Sequence, residues 1–252
     1  LTSLLPLIYN GALLLALAVI YDALDIPARG HPGLPQQLLL GISAGVIGLI
    51  VMVTPWQYAP GIVFDMRSVL LSISGLFFGA LPTLIAMAIT AALRIYQGGS
   101  GAVMGVAVII TSGLIGIGWR HWRRPALARL SWGELFLFGL VVHLAMLAMT
   151  VFLPTAVRMA VLTAIALSVM LLYPLATALF GRLLVNRQRR DLAVYALQES
   201  EERYRSYLDN APYGVFVVDE TGRFLEANAA ACKITGYSEA EILTMRIAEM
   251  LP

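Results

Sequence analysis

Six apolar runs, at residues 4–24, 38–54, 68–93, 102–119, 133–153 and 159–185, take up most of the chain before residue 186. A helix needs about 20 apolar residues to cross the ~30 Å hydrocarbon core of a bilayer, and most of these runs are close to that length. The run at 68–93 is the exception, because it carries Gly79 and Pro82 near its middle. With 59% hydrophobic and only 13% charged residues in 252, the chain is far more apolar than a soluble domain of its size needs for a core. Residues 1–185 therefore read as an all-α polytopic membrane bundle of six to seven helices.

Composition changes abruptly at Asn186. The stretch NRQRRDLAVYALQESEERYRSYLDN is charged and helix-forming, with no face that lipid tolerates, so the membrane part ends there. Its apolar positions Leu192, Tyr195, Leu197, Tyr204 and Leu208 fit a heptad only loosely. That leaves both a parallel dimeric signalling helix and a solvated linker helix open. Beyond it, YGVFVVDETGRFLEANAAACKITGYSEAEI predicts a strand over 215–218, a turn from Asp219 to Gly222, a second strand over 223–227 and a helix after Asn228. The expected divisions are a membrane domain over 1–185, a cytoplasmic linker helix over 186–203 and the first part of an α+β domain over 204–252. The chain starts at Leu1 rather than Met and stops in mid-pattern at Pro252, so a fragment of a longer protein is expected. The single cysteine, Cys232, permits no intrachain disulfide and reads as an apolar position.

The basic residues are clustered, and an excess of Lys and Arg marks cytoplasmic loops. One cluster is Arg120, Arg123, Arg124 and Arg129; the other is Arg182, Arg187, Arg189 and Arg190. Both are expected inside, and the two spans between them satisfy parity. The turn at Pro154 and the RIYQGGSG turn, with Arg94, are then outside. One straight helix over 68–93, at ~1.5 Å per residue, would place Arg67 roughly 40 Å away on the opposite face. A break between Gly79 and Pro82 gives two short helices of about 13 residues each and brings both arginines to the outer side. Pro82 suits the first turn of a helix, and Gly79 suits the residue after one. Arg29 in the loop at 25–37, against no basic residue at 55–66, favours the broken helix.

An arginine at mid-depth costs ~2.5 to 3.5 kcal/mol, so it faces a cavity or partner, whereas one near an interface snorkels to water. Two guanidiniums on one side, beside a turn containing Gly98, Gly99 and Ser100, make a site for a small carboxylate. The guanidinium fork matches a carboxylate, and glycine amides approach it closely. Asp65 would orient Arg67 or cap the helix that follows. Thr111 and Ser112 offer hydroxyls to a ligand, or bond back to a carbonyl one turn earlier. Gly75, Gly79, Gly113, Gly116 and Gly118 read as close helix packing. His31, His121 and His143 do not cluster at metal spacing, and His143 reads as a buried hydrogen-bonding residue. Neither a metal site nor a catalytic set is present in the pattern.

The motifs GIVFDMRSVLLSISGLFFGALP, RIYQGGSGA and IITSGLIGIG resemble the five-transmembrane LytS-type receptor domain of bacterial sensor proteins over about residues 38–185. That family carries an Asn/Asp-x-Arg motif, a Gly-Leu-Phe-x-Gly-Pro break and an Arg-x-x-x-Gly-Gly turn. Here the break is GALP, with Pro82 displaced. From Glu201 onward, the AP-x-G-hydrophobic start, the D-x-x-G turn and the N-x-A helix start at Asn228 resemble the opening half of a PAS domain.

The resemblance implies a membrane receptor in the bacterial inner membrane, with PAS on the cytoplasmic side and a histidine kinase or diguanylate cyclase as output. Some members are regarded as sensors of pyruvate-type carboxylates. The expected ligand site is Asp65, Arg67, Arg94, Gly98, Gly99, Ser100, Thr111 and Ser112, and the expected partners are a small carboxylate or other small anion, the lipid bilayer and a second copy of the chain. No cofactor is expected in the membrane domain and no nucleic acid partner; the sequence leaves a PAS cofactor undetermined. Two rivals are a transporter-like solute-binding component, suggested by the broken helix, and a dimerising anchor with sensing by PAS.

Overall fold

Apolar runs become helices wherever the described residues cover them. The computed structural model describes residues 32–53, 56–59, 62–123 and 127–250; the apolar run at 4–24 lies outside them, as do Arg29, His31 and Arg124. Two compact units divide the chain, Leu1–Arg190 and Asp191–Pro252. In the first, the helices are α1 (Leu34–Val53), α2 (Arg67–Phe77), α3 (Ala80–Gln97), α4 (Ala102–Arg123), α5 (Trp132–Ala148) and the start of α6 (Thr155–Asp209). Short 3-10 turns at Leu127–Arg129 and Met149–Phe152 flank α5. Among the described residues five helical segments are long and apolar enough to cross a membrane, and α2 is shorter. This is a multi-pass membrane bundle.

The run at 68–93 is broken. Helix α2 stops at Phe77, Gly79 takes φ of +92°, and α3 begins at Ala80. A side chain is strained at such a φ, so glycine is the residue the break requires. The halves are unequal, at 11 and 18 residues, rather than two of about 13, because Pro82 stands inside the first turn of α3 and does not delay its start. Arg120 reaches from α4 to close the exposed end of α2. Its Nη1 donates to the carbonyls of Leu76 at 3.0 Å and Phe77 at 2.7 Å, which a terminating helix leaves unsatisfied.

Every residue of α2 is buried. A helix too short to span survives at this depth because protein, not lipid, surrounds it. Two of its serines are satisfied close in sequence: Ser72 donates to the Val69 carbonyl at 3.1 Å. Thr83 donates to Gly79 O at 2.7 Å, so Ser74 must donate to Thr83 across 3.1 Å. Against α4 the approach is backbone to backbone. A Cβ on Gly75 would lie 2.7 Å from Ile117 N and 2.8 Å from Gly113 O, and one on Gly116 would overlap the Ser72 carbonyl oxygen. The packing expected of Gly118 is not found; a Cβ there meets nothing within 4 Å.

The segment at 55–66, expected to be a plain loop, holds an antiparallel pair, β1 (Trp56–Ala59) and β2 (Ile62–Phe64), with Trp56 opposite Phe64. The linker at 186–203 is not a separate element, because α6 continues to Asp209. No Gly or Pro interrupts residues 186–209, and Arg203–Glu199 and Arg205–Glu201 pair at i, i+4, the spacing that supports an exposed helix.

In the second unit β3 (Phe216–Val218) and β4 (Phe224–Ala227) pair antiparallel, with Phe216 opposite Ala227. Helices α7 (Ala229–Thr235), α8 (Glu239–Ile242) and α9 (Ile247–Met250) follow. Asn228 caps α7 by accepting from Ala231 N at 2.8 Å, while its amide donates to the carbonyls of Leu208 and Tyr213. Phe224, Ala227, Ala231 and Ile242 form the core. This is the α+β fold expected of the C-terminal part.

Candidate functional site

The starts of α2 and α4 border one pocket. Asp65 stands just before α2, and its Oδ1 accepts the Arg67 backbone N–H at 3.0 Å and lies 3.4 Å from Arg67 Nε. The aspartate, one residue before the N-cap Met66, therefore satisfies the first N–H of α2 and lies beside the guanidinium. These side chains are 0% and 6% exposed respectively. Each nevertheless retains a buried polar atom without a hydrogen-bond partner, Asp65 Oδ2 and Arg67 Nη1.

Arg94, in the last turn of α3, is 2% exposed, and its Nη1 donates to the Gly98 carbonyl at 3.1 Å. Its stem fits where Gly105 has no side chain; a Cβ there would lie 2.5 Å from Arg94 Nε. Arg94 interacts electrostatically with both Arg67 and Asp65. The two arginines are thus gathered at one end of the bundle, as the broken helix predicts, and the ~40 Å separation of a straight helix does not occur.

Asp65, Arg67 and Ser68 form the polar part of the pocket, with Gly101 and Gly105 on the α4 side. Val63, Phe64, Met104, Val108 and Met146 form the apolar part of this small cavity, which is partly open to solvent. Arg94 is not among the lining residues, but its charge reaches Arg67 and Asp65, so the three charges sum to one positive unit. A singly charged anion would balance it.

Other expected positions fall elsewhere. Gly99 and Ser100 are exposed and outside the pocket lining, and the Gly98 carbonyl accepts from Arg94. Thr111 donates to the Ala107 carbonyl at 2.5 Å, the backbone alternative open in the sequence. Ser112 is buried but stands one turn past Val108, deeper in the bundle and outside the pocket lining. Gly101, the end of the predicted glycine turn, does border the pocket. The residues missed were Val63, Phe64, Ser68, Met104, Gly105, Val108 and Met146. Met104, Gly105 and Val108 share a helical face at steps of three and four residues, so periodicity from the glycine turn marks them.

Beside the pocket a polar chain crosses to α6. His143 Nδ1 lies 2.6 Å from the Gly139 carbonyl, which can only accept, so Nδ1 carries the proton. Nε2 then accepts from Ser68 Oγ at 3.2 Å. The imidazole meets the Tyr173 ring edge to face at 5.2 Å, and the charges of Asp65 and Arg67 reach the Tyr173 phenol. Gly139 lies against Pro174 so closely that a Cβ would be 2.8 Å from the Pro174 Cα. His143 is therefore the buried hydrogen-bonding residue that its sequence context suggests.

In the second unit Asp219 Oδ1 accepts from Thr221 N, Thr221 Oγ1 and Arg223 N at 2.8, 2.7 and 3.0 Å. The Thr221 hydroxyl, with these amides, holds the Asp219 carboxyl below its ordinary range. Among the described residues no group of His, Cys, Asp and Glu could hold a metal ion.

The family described as the 5TMR of 5TMR-LYT matches residues 20–187, and a PAS domain family matches 202–252. The chain is also 32% identical over 71 residues to the sensor histidine kinase TmoS of Ectopseudomonas mendocina, covering 28% of this chain and 7% of that protein. No solved structure matches. With two thirds of its length matched and its broken helix and arginines in place, the chain belongs to the LytS-type five-transmembrane receptor family, as a membrane sensory module joined to the start of a PAS domain.

Proposed function

We propose that the bundle is the input module of a bacterial signal-transduction protein and that its ligand is a small monocarboxylate bound by Arg67 and Arg94. The buried arginine pair with a single aspartate carries this reading: the Arg67 guanidinium lines a partly apolar pocket, and the Arg94 charge beside it leaves one surplus positive unit. Guanidinium groups recognise carboxylates through charge-assisted hydrogen bonds. The Gly101 end of the glycine turn borders the pocket, and Gly98 holds Arg94 in place. The protein resides in the inner membrane as a homodimer, the pocket opens to the outer side, and PAS lies in the cytoplasm.

Ligand binding shifts the balance between two packings of the bundle. The shift passes along α6 to PAS and to a histidine kinase or diguanylate cyclase beyond it. The likeness to a sensor histidine kinase supports the former output.

Thermal unfolding of the membrane-embedded chain with a panel of monocarboxylates tests this. At 100 times its Kd a ligand stabilises by about 2.7 kcal/mol, and Arg67→Ala or Arg94→Ala should abolish the shift. Absence of a shift with every acid in the wild-type chain would overturn the proposal.

A further inference from the structure

We propose that the ligand is a 2-hydroxy monocarboxylate, recognised jointly by Arg67 through its carboxylate and by Asp65 through its hydroxyl. This deepens the anion reading above and rests on it. The observation is a pair of complementary orphans. Arg67 Nη1 is a donor and Asp65 Oδ2 an acceptor; both are buried, both lack a partner, and both belong to side chains that line the same pocket. The two side chains are more than nine-tenths buried, so each orphan carries a desolvation cost that a matching guest removes.

The guest that satisfies both must offer an acceptor and a donor a short distance apart. A plain carboxylate offers acceptors only. A 2-oxo acid adds another acceptor, which faces the Asp65 carboxylate and is repelled by it. A 2-hydroxy acid places its carboxylate on Arg67 Nη1 and turns its O–H toward Asp65 Oδ2. An α-amino acid also brings donors, but its zwitterion has no net charge to balance the surplus positive unit, and its ammonium would stand near Arg67 and Arg94. The apolar wall of Met104, Val108 and Met146 accepts a short aliphatic tail and disfavours a second carboxylate.

Arg67 is held for this role by the same aspartate. Asp65 Oδ1 is committed to the Arg67 backbone N–H and faces Nε, so only Oδ2 is left to read the guest. Asn at this position would keep an oxygen for the backbone contact and present an amide donor to the pocket. The preference should then turn from hydroxyl to carbonyl.

Calorimetric binding of lactate, pyruvate, propionate and alanine to the full chain in lipid nanodiscs tests the proposal. Lactate should bind wild type at least about tenfold more tightly than the other three, because a site built around a substrate hydroxyl rejects analogues without it. Asp65→Asn should reverse the order of lactate and pyruvate. Pyruvate, propionate or alanine binding the wild type as tightly as lactate would overturn the hydroxy-acid assignment while leaving an anion site intact. A lactate preference that persists in Asp65→Asn would overturn the role given to Asp65. No binding of any acid would overturn the anion reading itself. The wild-type series decides the ligand class even if the variant fails to fold.

Discussion

Asp65 and Asp219 are both fastened by backbone N–H donors close in sequence, yet they serve opposite ends. Asp219 spends its Oδ1 on a turn, where Gly222 takes φ of +79°, and the exposed carboxyl is satisfied by Thr221 and Arg223. Hydrogen bonds to the charged form lower its folded pKa below the ordinary 3.8. It therefore contributes stability at pH above 3.8, and that contribution disappears as pH falls through the lower folded value. Thr221→Val should raise the Asp219 pKa toward the ordinary value, since the hydroxyl is the largest cause of the shift; carboxylate NMR titration of wild type and variant measures it. An unchanged titration would mean that the amides alone set the value. Asp65 instead keeps Oδ2 without a hydrogen-bond partner in a buried position, an arrangement that costs stability.

Between elements, α2 is the piece whose surroundings decide whether the bundle forms. Arg120 closes its carbonyl end, and Arg120→Met should cost about 1–3 kcal/mol by leaving buried carbonyls unsatisfied, read as a lower unfolding temperature in nanodiscs. The interface with α4 discriminates more finely. Gly116→Ala should destabilise by about 1–3 kcal/mol through overpacking, because its Cβ overlaps the Ser72 carbonyl. Gly118→Ala, two residues on and in open space, should instead stabilise by a few tenths to about 1 kcal/mol through helix propensity. Equal effects of the two would sink the backbone-contact account of α2 and α4. The sequence made the break itself legible, since Gly79 and Pro82 are the residues such a turn uses. It did not reveal the unequal halves or the use of Gly118, because a string of small residues does not say which face meets a neighbour. Thr111 failed as a site residue for the same reason: a hydroxyl in an apolar helix reads identically whether it meets a guest or the carbonyl four residues back. Gly105 was legible only through periodicity, its value lying in the Arg94 stem that it admits.

At the scale of the whole molecule, α6 carries both a packed and a solvated stretch on one set of backbone hydrogen bonds. Its buried stripe of Val161, Ile165, Val169, Tyr173, Thr177 and Gly181 advances in steps of four, a row that winds about 40° around the helix at each step. Pro174 lies inside that stripe; a proline removes a hydrogen bond and crowds the carbonyl a turn earlier, and Gly139 lets a neighbouring helix close on it. From Asn186 onward no such packing is needed to keep the chain helical. The residues there are helix formers without Gly or Pro, and each exposed i, i+4 ion pair adds about 0.3–0.5 kcal/mol. Solvated helices of this kind are marginal alone and persist when an adjoining packed helix has already met the nucleation cost. Hydrogen exchange on the full chain should therefore find amides at 186–203 protected well above the unfolded rate, though less than those near Val169. Replacing Glu199 and Glu201 together with Gly should lower that protection toward Asp209 and leave the Val161 to Gly181 stripe unchanged. Exchange at the unfolded rate across 186–203 in the wild type would show that the packed helix does not support the solvated one.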